Sequence, residues 1–259
     1  MITILTSMLY RNLHRIEPDS LISCTYKLHG TSGVSSYVLC KKKLNWYEKL
    51  LVKLRINIKT EEYDYLYSSR KVIKNQEINP NSKHYYDEDI WLLAHNKLKD
   101  HLQKGMTFYY EIVGFLPNGG MIQKDYDYGC DEKQFEIYIY RITQTNVDGK
   151  VFEFSAKQVQ DFCKKNGLNA VPQLFYGFAK DFSDERMTTE NWQNKFLEEI
   201  KKKYNEKNCY MCKNVVPEEG VVIRVEKLDL EAYKQKSFLF YERETKQMDK
   251  GESDIESEN

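Results

Sequence analysis

The chain has 259 residues, balances 39 Lys plus Arg against 39 Asp plus Glu, and is 41% hydrophobic. That length can bury a substantial core in one large or two small domains, and zero net charge gives no argument for or against a nucleic-acid partner. No apolar run approaches the ~18 residues of a membrane span, and the opening ITILTSMLY lacks a basic leader and is broken by Arg11, so no secretory signal is expected.

In chain order, β-rich apolar runs mark strands at 21–26 and 33–40. Between them Lys27-Leu28-His29-Gly30-Thr31-Ser32 reads as a tight turn closed by glycine, with one lysine at its start. Residues 46–55 (WYEKLLVKLR) form a basic amphipathic stretch. It could touch a membrane or a phosphate backbone, but a solvated helix on a surface excursion accounts for it more simply. The spacing predicts a helix over 89–104, with Ile90, Leu93, Ala94, Leu98 and Leu102 on one face and Gly105 as its stop. Strands follow at 106–115 and 135–143.

Ser155 reads as the N-cap of a helix that buries Val159 and Phe162 and stops at Gly167. Over 189–204, Trp192, Phe196, Ile200 and Tyr204 recur at helical spacing, and Lys201, Lys202 and Lys203 complement the dipole. A strand at 220–226 precedes a strand-like run in which Lys234 and Lys236 share a face. Strands adjoin strands without βαβ alternation, which predicts an α+β fold with a mainly antiparallel sheet. Residues 1–247 read as one domain and 248–259 as an acidic, disordered tail.

The 20 tyrosines suit half-buried strands better than base-stacking platforms. Six cysteines, at 24, 40, 130, 163, 209 and 212, are expected as free thiols in a reducing, intracellular and cytoplasmic setting. Cys209-x-x-Cys212 invites a zinc reading, but no second CxxC or spaced histidine pair completes a tetrahedral site, and thiols are the better expectation. Glu111 in FYYEIVGF and Glu219 in EEGVVIRVE are isolated carboxylates in apolar runs. A lysine, cationic neighbours and metal-binding carboxylates are what attack on a nucleotide phosphate needs. A lysine near pKa ~10.4 is almost wholly protonated at neutral pH, so freeing its amine takes on the order of 4 kcal/mol of differential stabilisation. Burial and neighbouring cations are the means.

Taken in order, KLHG at 27–30, Ser69-Arg70, FYYEIVG, FEIYIYRI, EGVVIR and YKQKS resemble the successive motifs of the covalent nucleotidyltransferases, the superfamily of ATP-dependent ligases and mRNA capping enzymes. A KxxG match alone is almost worthless; six in order across 27–237 are specific. The histidine narrows the branch, because Lys-x-His-Gly-Thr resembles RNA ligases of the nick-sealing type, where DNA ligases and capping enzymes usually show Asp.

The resemblance implies a nucleotidyltransferase (ATP-grasp-like ligase adenylation) domain, α+β, with antiparallel sheets flanked by helices and the nucleotide between them. It implies an ATP-dependent RNA ligase in which Lys27 takes AMP from ATP, passes it to an RNA 5′-phosphate, and a 3′-hydroxyl then displaces it. Lys27, Lys234 and Lys236 are the implied catalytic residues. His29, Gly30, Arg70, Glu111, Tyr140 and Arg224 are the implied nucleotide contacts, and Glu219 organises Mg2+ or Mn2+. Tyr140 takes the adenine-stacking place with Tyr138 as fallback, and Glu218 is expected to face solvent. His29 is left open between positioning Lys27, contacting phosphate and satisfying the turn.

The implied partners are RNA ends, nicked duplex among them, and no membrane. About twenty residues follow the fifth motif, so the additional domain of many relatives is expected to be missing and an accessory RNA-binding or repair subunit to replace it. The rivals are a DNA ligase, a GTP-using capping enzyme, the ligase module of a multi-subunit RNA repair complex, and a degenerate nucleotide-binding module.

Overall fold

A computed structural model describes residues 6–70, 72–73, 89–183, 192–204 and 206–249. In chain order the elements are β1 (Ser7–Met8), β2 (Leu21–Lys27), β3 (Thr31–Lys41), α1 (Trp46–Lys53), β4 (Glu61–Ser69), α2 (Ile90–Leu98), β5 (Met106–Gly114), β6 (Phe135–Thr145), β7 (Val151–Glu153), α3 (Ala156–Asn166), β8 (Asn169–Ala170), β9 (Gln173–Phe178), α4 (Trp192–Tyr204), β10 (Gly220–Val225), β11 (Glu231–Lys236) and α5 (Phe238–Asp249). One sheet has the order β1-β11-β10-β2-β9 and the other β4-β3-β5-β6-β7, with β8 beside β6. Among the described residues only β1 with β11 and β6 with β8 pair in parallel. The mainly antiparallel α+β arrangement is the one expected.

Helices cover each sheet for the reason their spacing gives. α2 lays Ile90, Trp91, Ala94 and Leu98 on Phe108, Tyr110, Ile112 and Ile139 of the second sheet. Asp89 caps it by accepting the Leu92 N–H at 3.0 Å. The helix ends at Leu98 instead of reaching 104, because Lys99–His101 tightens into a 3₁₀ turn that leads into β5. α3 has the expected limits: a Ser155–Gln158 capping box at its start and Gly167, φ 66°, at its end. α4 packs Trp192, Phe196 and Ile200 against Ile22, Cys24, Val221 and Ile223 of the first sheet. Positions 189–191, where this helix is expected to begin, lie outside the described residues.

β4 and α5 are elements the sequence reading did not include. The tail expected from 248 overlaps the end of α5 at Asp249, and 250–259 lies outside the described residues. No helix among the described residues is long and apolar enough to cross a membrane. The chain leaves the first sheet at Lys27 and enters the second at Thr31, so the turn between them is the seam of the molecule. A Cβ on Gly30 would lie 2.3 Å from the Ile112 carbonyl oxygen, and only glycine lets this turn press on β5. A third cluster, with Leu28, Val113, Tyr126, Tyr128, Val171 and Phe240, fills the seam from one side.

Candidate active site

Strand register builds the site. Across the first sheet Lys27 lies opposite Gly220, which lies opposite Lys236; the next row aligns Thr25, Val222 and Lys234, and the next Ser23, Arg224 and Ala232. Steps of two keep these residues on one face. Ser23, Thr25, Lys27, Val222, Arg224 and Lys234 form one wall of a cleft. Ser32, Tyr109, Glu111, Tyr140 and Arg141 of the second sheet form the other, with Arg70 just past β4.

Strict alternation would put Tyr140 and Arg141 on opposite faces. β6 instead carries a bulge: Tyr109 pairs with Arg141 and Tyr110 with Ile139, leaving Tyr140 as the extra residue. Both side chains therefore reach the cleft. Arg141 is held there by a bidentate ion pair with Glu153 and by the Tyr109 ring, 4.2 Å from its guanidinium carbon. Arg141 is a site residue the sequence reading missed, and no alternation pattern could have found it. Tyr140 shares a 3.2 Å hydrogen bond with Ser32 Oγ, and burial, then Glu111, pushes its phenol up to about 12, so it stays neutral. Tyr138 packs against the third cluster as Tyr140 does, but it does not line the cleft.

Near the seam, Lys27 Nζ lies 2.5 Å from Glu219 Oε1. Lys236 Nζ is 3.9 Å from the same oxygen and bonds Glu244 at 2.6 Å. Lys236 thus stands at the Glu219 end, while Lys234 faces the cleft. Glu219 is 2% exposed and Glu111 7%. The Glu219 segment is folded inward because the Ser237 N–H donates to the Glu219 carbonyl at 2.9 Å and Ser237 Oγ to the Glu218 carbonyl at 2.7 Å. Gly220 makes the bend at φ 137°, where a Cβ would lie 2.1 Å from the Gln235 carbonyl oxygen.

One expectation is corrected, and His29, Gly30 and Arg224 are found in packing contacts. Glu218 does not face solvent: it is 2% exposed, its N–H donates to the Lys207 carbonyl at 2.9 Å, and burial pushes its carboxyl up to about 7 against the pull of Lys207. His29 is not a cleft residue. Its ring packs edge-on to Tyr126 and Phe240, with Nδ1 3.8 Å from Glu219 Oε2, while Lys27 meets the other oxygen of that carboxylate. Gly30 serves the packing of the turn, and its carbonyl accepts from Gln123 Nε2 at 2.8 Å. Arg224 does line the cleft, but its guanidinium is engaged with the Phe154 carbonyl at 2.5 Å and faces Glu226 at 3.6 Å.

The same 123–128 loop reaches the other side of the seam, where the Tyr126 hydroxyl donates to the Pro217 carbonyl at 2.8 Å. All six cysteines are free, and a hydrogen bond from Cys212 lowers the Cys209 thiol. Among the described residues no three His, Cys, Asp or Glu side chains converge as a metal cage. Glu111 lines the cleft and Glu219 stands behind Lys27, and buried carboxylates of this kind suit a magnesium-like ion that keeps its waters and takes the rest of its oxygens from phosphates.

The model of the family described as RNA ligase matches residues 21–238. Among solved structures, an alanine mutant of Naegleria gruberi RNA ligase with ATP and Mn superposes with a TM-score of 0.58 at 14% identity, covering 94% of this chain and 58% of that one. An apo mutant of the same ligase gives 0.56 at 14%, covering 93% and 58%. An Aquifex aeolicus protein assigned as an ATP-dependent DNA ligase gives 0.51 at 14%, covering 98% and 55%. Such identities speak to the fold, and the chain spans little more than half the length of these structures. No curated protein matches the chain in a sequence search. The family match runs from β2 through β11 and takes in Lys27, Glu111, Glu219, Lys234 and Lys236 together, and the chain belongs to the RNA ligase family.

Proposed function

We propose that this chain is an ATP-dependent RNA ligase that joins a 5′-phosphate to a 3′-hydroxyl through a lysyl-AMP. The observation that carries the reading is one amine, Lys27, set on the wall of a two-sheet cleft beside a buried carboxylate, with Lys234 on the same face. Lys27 leaves one proton on Glu219 and becomes the free amine. Its Nζ forms the bond to the α-phosphorus, the bond to the pyrophosphate oxygen breaks so that pyrophosphate departs, and the nitrogen's second proton passes to water. Lys234 and Arg70 neutralise phosphate charge from the cleft walls. Tyr140 offers its ring to the base, and Glu111, on the same wall, offers its carboxylate to the ribose. Arg141 and Arg224, each tied to a glutamate, hold the walls in place. A divalent cation, when bound, would be held by Glu219, with Glu111 as the second carboxylate, and would offset charge on the phosphate oxygens.

Lys27 cannot attack while it donates to Glu219, so the amine has to swing from that oxygen into the cleft. The Lys27–AMP then passes its adenylate to the RNA 5′-phosphate, and the 3′-hydroxyl releases AMP on sealing. A nicked duplex is the substrate geometry we favour, and the free thiols and the need for ATP fit a reducing intracellular setting. Incubation with α-labelled ATP or GTP and Mg2+ or Mn2+, followed by sealing assays on nicked RNA and nicked DNA, tests the reading. Covalent label from ATP and sealing of RNA are expected; label from GTP alone would make it a capping-type enzyme, and sealing of DNA alone a DNA ligase.

A further inference from the structure

α1 stands on the β3–β4 connection and buries none of its residues. A helix this short does not persist on propensity alone; the Asn45–Glu48 capping box and a 2.6 Å bond from Lys42 to Glu48 hold it. Residues 41–60 carry seven basic side chains against one acidic, in a chain whose charges cancel as a whole. Glu61, Glu62 and Asp64 sit at the base of the hairpin, across β3 from Lys41, Cys40 and Val38. Beyond that base Lys43, Lys49, Lys53, Arg55 and Lys59 are all exposed. At about 100° per residue, Trp46, Lys49, Leu50 and Lys53 share the outward face, while Glu48 and half-buried Leu51 turn inward.

We propose that this helix docks on the phosphate backbone of double-helical RNA flanking the ends to be joined, an inference that rests on the ligase reading above. Its fixed cations complement a polyanion, and phosphate contacts position a protein without reading sequence. β3 starts beside the Lys27 turn and runs for 11 residues. At about 3.4 Å each this is a reach of about 35 Å, roughly one duplex turn from the reacting amine. A single strand would ask for a row of parallel aromatic platforms, whereas Trp46 and Tyr47 stand at 83° to each other and cannot stack successive bases along one path. A bilayer would ask for one apolar stripe. Exposed Trp46, Tyr47, Leu50 and Leu54 do gather on one side, but Val52 is exposed on the other, and Lys49 and Lys53 flank Trp46 where a bilayer would want apolar side chains.

The test is the triple charge reversal Lys49→Glu, Lys53→Glu, Arg55→Glu, all at exposed positions, compared with the unmodified protein. Three quantities are read: covalent labelling by ATP; binding across a salt series to a blunt RNA duplex of about 30 base pairs and to one of its strands; and binding to phosphatidylserine vesicles. Equal labelling is expected, with duplex affinity lowered at least about tenfold at low salt. The slope of log affinity against log salt should become shallower by about 2 to 3, one step per lost phosphate contact. Unchanged duplex binding, or a loss confined to the single strand or to vesicles, overturns the proposal. Failure of the unmodified protein to take label from ATP would sink the ligase reading instead, with duplex binding still open to measurement.

Discussion

The phenol oxygen of Tyr128 accepts the backbone N–H of His29 at 2.6 Å, two residues beyond the amine of Lys27. Tyr128 is left-handed at φ 48° and Asp125 at φ 70°. Such conformations persist only where the surroundings enforce them. Asp127 does so here, accepting the N–H groups of Gly129, Lys213 and Asn214. Tyr128→Phe removes the acceptor from His29, at about 1–3 kcal/mol. Single-turnover labelling should show lysyl-AMP formation slowed about tenfold, since small misplacements of a reacting group are costly, with the KM for ATP little changed. A rise in KM with an unchanged rate would mean the contact serves the pocket and not the nucleophile.

Lys27→Ala and Lys27→Arg should both take no label from ATP, because alanine has no amine and arginine does not lose its proton. They should differ in thermal unfolding. Arginine can still pair with Glu219, whereas alanine leaves that buried carboxylate short of a cation. Lys27→Ala should therefore have the lower Tm of the two; labelling of either variant would place the nucleophile elsewhere.

Glu219→Gln keeps the shape and loses the charge that gathers Lys27 and Lys236. Labelling should fall by about a hundredfold or more, on the scale of losing a group that organises transition-state charge, and a titration of Mg2+ should need more metal for what activity is left. Undiminished rates at limiting Mg2+ would remove Glu219 as the metal-holding residue.

Glu218 gives a pH signature. Burial raises its carboxyl from 4.5 to about 7 in the folded protein, so between those values the folded state binds the proton that the unfolded state has lost. Stability from this group therefore falls as pH rises from 4.5 to about 7 and levels off above. The difference amounts to about 3 kcal/mol at most. Chemical denaturation of Glu218→Gln should show a gain over the unmodified protein at pH 8 that vanishes near pH 4.5; an equal difference at both values would mean that the carboxyl is not protonated in the fold.

The residues of the cleft were partly legible because they are polar exceptions in apolar strands. Glu111 stands out inside a strand buried along its whole length, and Lys27 marks the point where β2 hands over to β3. Arg141 was hidden by the bulge, which shifts the phase of β6 midway and defeats any period-two reading. Glu218 looked like solvent edge because its burial depends on Ser237 and Lys207, neither near it in the pattern. His29 follows Lys27 by two residues, yet its ring packs on Tyr126 and Phe240 near the other oxygen of Glu219, a placement set by the turn and invisible to spacing. β4 escaped notice because EEYDY is polar or aromatic on both faces, and α5 because FLFYERETKQMD follows β11 after a single residue.

Ser7 and Met8 run parallel to Tyr233 and Lys234, so β1 forms the outer hem of the strand that presents Lys234. Whatever displaces those two residues pulls on the backbone beneath a cleft-facing lysine.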